Sequence, residues 1–396
     1  MADFILSLNA GSSSIKFAVF AVEPEGPVAR FRGAVVNDGD QRRFWVRASN
    51  GEILEAHDEP SAGADLERFT GEILAWALDH LGHGSIVAVS HRFAHGGTEF
   101  SDPTALCPSV LERLDALSSL APLHQPHNLA VARFTAASLP AARQYACFDT
   151  AFHRTMPACA QRIALPRAWE ARGVRRYGFH GLSYSFLTRR LAELDPDVAR
   201  KRVVFAHLGS GASLCATRDG VSVETTMSFS ALDGLVMSTR CGTLDPGVVL
   251  YLIRSGVSAA EIERMLYCQS GLLGVSGTTG DMRALLASPT PAAGEAIDVF
   301  IHRLVREIGA MVAVLGGLDA LVFSAGIGEN APAIRGRLAD RLGWLGLSLN
   351  AGANMDGALK ISSADSAVAA WVIPTDEEAV LAQSAWTLLA DASAPG

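Results

Sequence analysis

The residues of this 396-residue chain that could do chemistry gather where apolar runs break. The stretch LSLNAGSSSIKFAVF, Leu6 to Phe20, interrupts an apolar run with Asn9-Ala10-Gly11-Ser12-Ser13-Ser14 and resumes it around Lys16. A tight polar turn of this kind points three hydroxyls, an amide and unpaired backbone N–H groups into one small volume, and Gly11 permits close approach of a ligand. That chemistry suits a phosphate, and the same residues equally make a plain Ser/Gly hairpin. RVVFAHLGSGASLCATRDG, from Arg202, repeats the arrangement with His207, Gly209, Ser210 and Gly211 at its turn. Charge comes from the ends of apolar strands: Arg92 in SHRFAHGG, Asp149 in YACFDTAFH, and Arg240 in the Gly-bounded loop GLVMSTRCGTLDPG. Strand ends are where ligands collect in open α/β sheets. Guanidinium groups for phosphoryl oxygens and carboxylates for Mg2+ are the inventory of phosphoryl transfer. His180 in RRYGFHGLSY and His124 in APLHQPHN fit either a functional role or a hydrogen-bonded core.

A third segment, Gly316 to Gly346, runs an apolar strand, LVFSAG, into Gly326-Ile327-Gly328-Glu329-Asn330 and then a helix with Pro332 in its first turn. A helix N-terminus after a glycine turn can hold a nucleotide's sugar and phosphates. GxGxxG and GxxxxGK[ST] are both absent, which leaves nucleotide binding to the two hairpins and this turn. HExxH and GxSxG are absent too, so zinc hydrolase and serine esterase readings lack support.

These residues need a scaffold of strands that end together. Short strands open the chain (FILSLN, KFAVFAV, ARFRGAVV, RFWVRAS), and helical periodicity follows in DLERFTGEILAWALDHLG. Buried strands are predicted at SIVAVSHR and RQYACFD, which makes a three-layer α/β domain. Aligning Leu8-Asn9-Ala10-Gly11-Ser12 with Ala206-His207-Leu208-Gly209-Ser210 superposes the two turns, an internal duplication. Two related domains would then offer phosphate-sized loops face to face across a cleft that fits a nucleoside triphosphate.

The length predicts two domains, and 49% hydrophobic with 19% charged residues is ordinary for a soluble α/β enzyme. A net charge of -8 argues against nucleic-acid binding. Lysines are confined to Lys16, Lys201 and Lys360, and the six cysteines form no CxxC pair, which fits reduced thiols in the cytoplasm. The start MADFILSLNA lacks a basic region and reads as a strand rather than a signal peptide. Asp319 and several glycines interrupt the apolar run from Gly309 to Gly328, which reads as a helix end, a turn and a strand rather than a membrane span.

Together these residues resemble the acetate kinase family over nearly the whole chain. LNAGSSSIKF, HRFAHGG, PLHQPHN, FDTAFH, YGFHG, HLGSGAS, GLVMSTRCG, DPG, GLLGVSG, DMR, FSAGIGEN and PTDEEAV occur in family order. The resemblance implies an α/β fold of two duplicated actin-like, ribonuclease H-like domains facing each other across a nucleotide cleft. The first would take residues 1–150 plus 379–396, the second residues 151–378. It implies that Arg92 and Arg240 hold the transferring phosphoryl and the acyl carboxylate, and that His180 stabilises the transition state. Asp149 and Glu377 would orient Mg2+, or Mn2+, with Asn9 nearby, and His124 would support the site. Ser12 and Lys16 belong to the first phosphate loop, and His207, Gly209, Ser210 and Gly211 to the second. Asp281, Met282, Arg283, Gly326, Gly328, Glu329 and Asn330 would surround the nucleoside.

The implied reaction is direct attack by a carboxylate oxygen on the γ-phosphate of ATP, giving an acyl phosphate and ADP, with the two domains closing over ATP. The family also implies a cytoplasmic homodimer joined through the second domain, with no nucleic acid or membrane partner. Departures from its usual pattern are Ser210 for an Asn, Thr243 for an Asp and Tyr184 for a His. Around the acyl methyl stand Ala94, Leu123, Phe179 and Ala231, where Val and Pro often take the first and last places. A propionate-preferring kinase is the rival within the class. An Hsp70-like or regulatory ATP-binding protein is the rival outside it, disfavoured because Arg92, Arg240 and His180 are equipment for clamping a carboxylate.

Overall fold

The computed structural model describes residues 2–11, 14–38, 40–61, 63 and 65–391. Contacts divide the chain into two compact units, Met1–Ala151 with Asp376–Gly396, and Phe152–Thr375. The return to the first unit falls between Thr375 and Asp376, ahead of the 378/379 boundary expected from the sequence. Side-chain chemistry sets it there: Asp376 takes two hydrogen bonds from Arg32, at 2.8 and 2.5 Å, and Asn9 reaches Glu377 and Glu378.

The first unit contains β1 (Asp3–Ala10), β2 (Ser14–Glu23), β3 (Gly26–Asp38), β4 (Gln41–Ala48), β5 (Ile53–Pro60), β6 (Ser85–Phe93), β7 (Thr104–Ala105) and β8 (Arg143–Phe148). They form one sheet in the order β5-β4-β3-β2-β1-β6-β8-β7. β1 is buried on both faces. Leu6 and Leu8 pack with Phe69, Ile73 and Trp76 of the helix Leu66–His80, while Ile5 packs with Ala382 and Ala385 of the helix Glu377–Asp391. Asp65 caps the first of these helices by accepting a hydrogen bond from Arg68 N, and its apolar residues recur at helical spacing. Each fully buried Phe, Leu or Ile contributes about 1.5–3 kcal/mol relative to an exposed one.

In the second unit lie β9 (Arg202–Leu208), β10 (Ala212–Arg218), β11 (Val221–Thr225), β12 (Ala320–Ser324) and β13 (Ala369–Val372), in the order β11-β10-β9-β12-β13. Two antiparallel pairs followed by two parallel ones repeat the run β3-β2-β1-β6-β8. The duplication read from two Gly-Ser turns is therefore a duplication of whole sheets. Val203 and Phe205 of β9 face Tyr184, Leu187 and Leu191 of the helix Gly181–Leu194, and Val204 and Ala206 face the 25-residue helix Pro291–Leu315.

The run from Gly309 to Gly328 resolves into the end of that long helix, a turn at Gly316 and Gly317, and β12. Among the described residues no helix is long and apolar enough to cross a membrane. The sequence reading fails just beyond, because Gly326–Asn330 lies in a short helix, Ala325–Asn330, rather than a glycine turn. Side chains close it. The Glu329 carboxylate accepts a hydrogen bond from Ala325 N at 2.7 Å, and Asn330 Nδ2 donates to Gly326 O at 2.9 Å.

Candidate active site

In the first unit the site residues converge on the end of β1. The backbone oxygen of Ala10 accepts from Arg92 Nη1 at 3.2 Å and from Asn128 Nδ2 at 2.9 Å, and Asn128 Oδ1 accepts from Ala94 N at 3.0 Å. The β1–β2 turn, the end of β6 and the helix Gln125–Ser138 are thereby tied together. His124 is the N-cap residue of that helix, and Leu123 precedes it. Asn9 and Lys16 pair directly across the hairpin. Ser12 lies outside the described residues.

Arg92 and Asp149 leave adjacent strands, β6 and β8, at the same end. Arg92 Nε donates to Asp149 Oδ2 at 3.0 Å, and Nη2 donates to the same oxygen. Asp149 is 2% exposed, and its other oxygen, Oδ1, is buried with no hydrogen-bond partner among the described residues. Asn9 Nδ2 donates to Glu377 Oε2 at 2.8 Å and to Glu378 Oε1 at 3.1 Å. Desolvation, then the charges of Asp149 and Glu378, push the Glu377 carboxyl up to about 7, while Arg92 and Lys16 pull it down.

An excess of negative charge with one orphaned carboxylate oxygen is an environment that a small divalent cation relieves. Among the described residues no three His, Cys, Asp or Glu side chains stand close enough to hold an ion by themselves. Mg2+ keeps several waters and takes only one or two carboxylates besides substrate phosphates, and Asp149 and Glu377 are two such carboxylates. The residues present fit the ion.

In the second unit the β9–β10 turn closes with Gly209 N donating to Gly211 O at 3.0 Å, and Ser238 N donates to Ser210 O at 3.0 Å. A β-carbon on Gly211 would lie 3.3 Å from His180 Nε2 and 3.7 Å from Arg240 Nη1. His180 and Arg240, singled out from separate stretches of sequence, thus meet at a glycine from a third. His180 adopts φ 58°, a left-handed conformation, immediately before the helix Gly181–Leu194. Its ring stacks on His207 at 4.2 Å between centroids, and its Nδ1 lies 2.9 Å from Ser213 Oγ. Arg240 Nη1 donates to the backbone oxygen of Ala231 at 3.2 Å. Thr243, where an Asp was noted as usual, bonds Asp233 Oδ1 at 2.8 Å and Gly234 N at 3.2 Å and so closes the Arg240 loop.

The nucleoside candidates lie beside this turn. Ser238 Oγ donates to Gly280 O at 2.9 Å, and a β-carbon on Gly280 would come within 2.3 Å of that hydroxyl, so only glycine fits there. Asp281 follows and caps the helix Met282–Ala287 by accepting from Arg283 N at 2.8 Å. On the other side Ser324 pairs with His207, which brings Ala325–Asn330 against the hairpin. Glu329 faces inward, its Oε1 taking both Ala325 N and Thr375 N, at 2.7 and 3.2 Å, so it shapes this segment from within. Arg335, 1% exposed, donates to the oxygens of Gly328, Glu329 and Asn354, at 2.8, 2.9 and 2.6 Å, and to Asn354 Oδ1 at 2.7 Å.

The four acyl-pocket candidates divide between the units, Ala94 and Leu123 in the first, Phe179 and Ala231 in the second. Sequence reasoning missed Asn128, Ser213, Asp376, Glu378 and Arg335 as site-building residues. Asn128 and the two acidic residues stood inside quoted stretches, PLHQPHN and PTDEEAV, where only His124 and Glu377 were singled out. Ser213 closes the quoted stretch HLGSGAS, where only the turn residues His207 to Gly211 were singled out.

A duplicated sheet with actin-like strand order, carrying guanidinium, carboxylate and imidazole groups at its strand ends, defines an actin-like ATPase fold equipped for phosphoryl transfer. The acetokinase family model matches residues 4–383. An acetate kinase of Rhodopseudomonas palustris (strain TIE-1) is 48% identical over 394 residues, covering 98% of this chain and 99% of the relative. Among solved structures, a propionate kinase from Francisella tularensis subsp. tularensis SCHU S4 is similar with a TM-score of 0.87 at 34% identity, covering 96% of this chain and 98% of that one. Porphyromonas gingivalis acetate kinase gives 0.84 at 32%, covering 98% and 100%. The chain belongs to the acetokinase family. It is a phosphotransferase with a carboxyl group as acceptor.

Proposed function

We propose that the chain catalyses reversible transfer of the ATP γ-phosphoryl to acetate, giving acetyl phosphate and ADP. The observation that carries this reading is the convergence of His180 Nε2 and Arg240 Nη1 on Gly211 of a phosphate-sized hairpin. The likeness to acetate kinases over almost the full chain supports the choice of acid. A lone pair of the acetate carboxylate forms the new O–P bond in line, while the β–γ bridging oxygen leaves with the electrons of the bond that breaks. No proton moves and no phosphoenzyme forms.

Arg92 and Arg240 hold the acyl carboxylate and the transferring phosphoryl. His180 stabilises charge on the equatorial oxygens, and His124 supports the site. Lys16 and Ser12, with His207, Gly209, Ser210 and Gly211, take the phosphates. Asp281, Met282 and Arg283, with Gly326, Gly328, Glu329 and Asn330, enclose the nucleoside. Asp149 and Glu377 would hold Mg2+ or Mn2+, directly or through water, with Asn9 fixing Glu377. Such an ion, when bound, neutralises charge on the β- and γ-phosphate oxygens.

The enzyme works in the cytoplasm, in keeping with six cysteines that are all free. It works as a homodimer. The helix Pro246–Arg254 buries none of its residues and exposes Val248, Leu250, Tyr251 and Ile253, an apolar surface that a second copy would cover. Tyr251→Glu is expected to shift the protein from dimer to monomer in light scattering after size exclusion, and an unchanged mass removes this face from the interface. Incubation with MgATP, acetate and hydroxylamine tests the activity. Acetate-dependent hydroxamate is expected, and none under any condition overturns the reading.

A further inference from the structure

Tyr184 enters the sequence as a departure from the family pattern, and the fold gives it a specific position. It is fully buried on the first turn of the helix Gly181–Leu194, with Oη 2.5 Å from Ser213 Oγ. Ser213 is fully buried in β10, directly opposite His207 in the antiparallel ladder, and its Oγ lies 2.9 Å from His180 Nδ1. The result is a line of three side chains, Tyr184, Ser213 and His180, ending at a ring that stacks on His207 and points Nε2 toward Gly211.

Proton counting gives this line a direction. Burial pushes the phenol well above its usual range, so the phenol keeps its hydrogen. Either oxygen can donate in the hydrogen bond between Tyr184 Oη and Ser213 Oγ, and the phenol, the more acidic O–H of the two, is the better donor. With one position on Ser213 Oγ filled by that donor, the serine's own hydrogen is directed to His180 Nδ1. A neutral imidazole that accepts at Nδ1 carries its single hydrogen on Nε2.

We propose that Tyr184 is a positioning residue that acts through Ser213 to hold His180 as the tautomer protonated on Nε2, with that N–H presented beside Gly211 of the second phosphate loop. Its use in catalysis, donation to an oxygen of the transferring phosphoryl, rests on the phosphotransfer reading above, whereas the tautomer does not. A triad histidine loses most of its catalytic value when the wrong tautomer is installed, so orientation of this kind has a kinetic consequence.

The test is side-chain nitrogen NMR of the full chain labelled with [15N]histidine, the His180 signals being assigned by their loss in His180→Asn. Wild type is expected to show His180 neutral with hydrogen on Nε2 at pH 7.5. Ser213→Ala and Tyr184→Phe are each expected to give a mixture of tautomers. In both variants kcat falls about tenfold or more while KM for ATP changes less than twofold, the scale of losing an orienting partner. A wild-type His180 that is an imidazolium or carries hydrogen on Nδ1 overturns the proposal. So does a single Nε2–H tautomer in Ser213→Ala, and an unchanged tautomer in Tyr184→Phe removes Tyr184 from the line. Wild type with the expected tautomer but no hydroxamate contradicts the phosphotransfer reading alone.

Discussion

Arg92 binds Asp149 through one carboxylate oxygen, Oδ2, and leaves Oδ1 buried and unbonded among the described residues. A buried carboxylate oxygen without a donor costs about 1–3 kcal/mol, so the pairing holds Asp149 in a state that a cation improves. Asp149→Asn keeps the shape and removes the charge. It is expected to raise the Mg2+ concentration for half-maximal activity and to lower turnover at least a hundredfold. Glu377→Ala is expected to raise the Mg2+ requirement with a smaller loss at saturating ion. Initial rates across a Mg2+ titration check both, and an unchanged titration in both variants removes these carboxylates from the ion's site.

Arg240 is expected to matter chiefly for rate, since its half-buried guanidinium lies beside Gly211 and donates to the backbone oxygen of Ala231 and to the Met237 sulfur. Arg240→Ala should lower kcat by a hundredfold or more, about 3 kcal/mol of transition-state stabilisation, with a thermal midpoint within a few degrees of wild type. Near-normal turnover would show that this guanidinium does not meet the phosphoryl group.

Arg335 is the opposite case. Its four hydrogen bonds end on three backbone oxygens and one amide oxygen, so removing it leaves buried acceptors unpaired. Arg335→Ala is expected to cost about 3 kcal/mol or more, because each orphaned group costs about 1–3 kcal/mol. Loosening of Gly326–Asn330 should also weaken ATP binding. Thermal denaturation and KM for ATP are the readouts, and a variant unchanged in both would show that the helix Ala325–Asn330 holds itself.

His91, His95 and His153 are buried, and burial lowers each from 6.5 to about 4. The unfolded chain therefore takes up protons below pH 6.5 that the folded chain refuses. Their contribution to stability is complete above pH 6.5 and is lost as pH falls toward 4. The thermal midpoint should drop steeply between pH 6.5 and 4.5, and His91→Gln should flatten that slope. A slope unaltered by the substitution would show that His91 titrates alike in both states.

Ala94 is 2% exposed, and its backbone N–H is fixed by Asn128. A Val at this place adds two methyl groups, and pocket discrimination runs about 1–3 kcal/mol per methylene. Acetate and propionate should both be phosphorylated, with butyrate poorer, and Ala94→Val should move the kcat/KM ratio toward acetate about tenfold. An unchanged ratio would show that Ala94 does not line the acyl pocket.

The strands and both hairpins were legible in the sequence because two-sided burial writes continuous apolar runs, and Gly-Ser turns punctuate them. Arg92, Asp149 and Arg240 were legible for a related reason, since a charge ending an apolar run has few structural uses. The helical state of Gly326–Asn330 was not legible. Two glycines and an Asn read locally as a turn, and the groups that decide otherwise are Glu329 folding back on Ala325 and Arg335 drawing in its carbonyls. Ser213 and Asn128 were invisible as site residues for the same reason. Their partners, His180, Tyr184, Ala10 and Ala94, lie far along the chain and meet them only in the folded sheets.

The central claim is that a carboxylate oxygen attacks phosphorus and becomes the bridging oxygen of an acyl phosphate, and oxygen labelling tests it in one measurement. The protein is incubated with MgATP and [18O2]acetate, the acyl phosphate is trapped with hydroxylamine, and the released phosphate is read by 31P NMR or mass spectrometry. Hydroxylamine cleaves at the acyl carbon, so the bridging oxygen stays on phosphorus. One 18O per released phosphate, with formation strictly dependent on acetate, is the predicted result. Unlabelled phosphate, or ADP formation indifferent to acetate, would contradict the account.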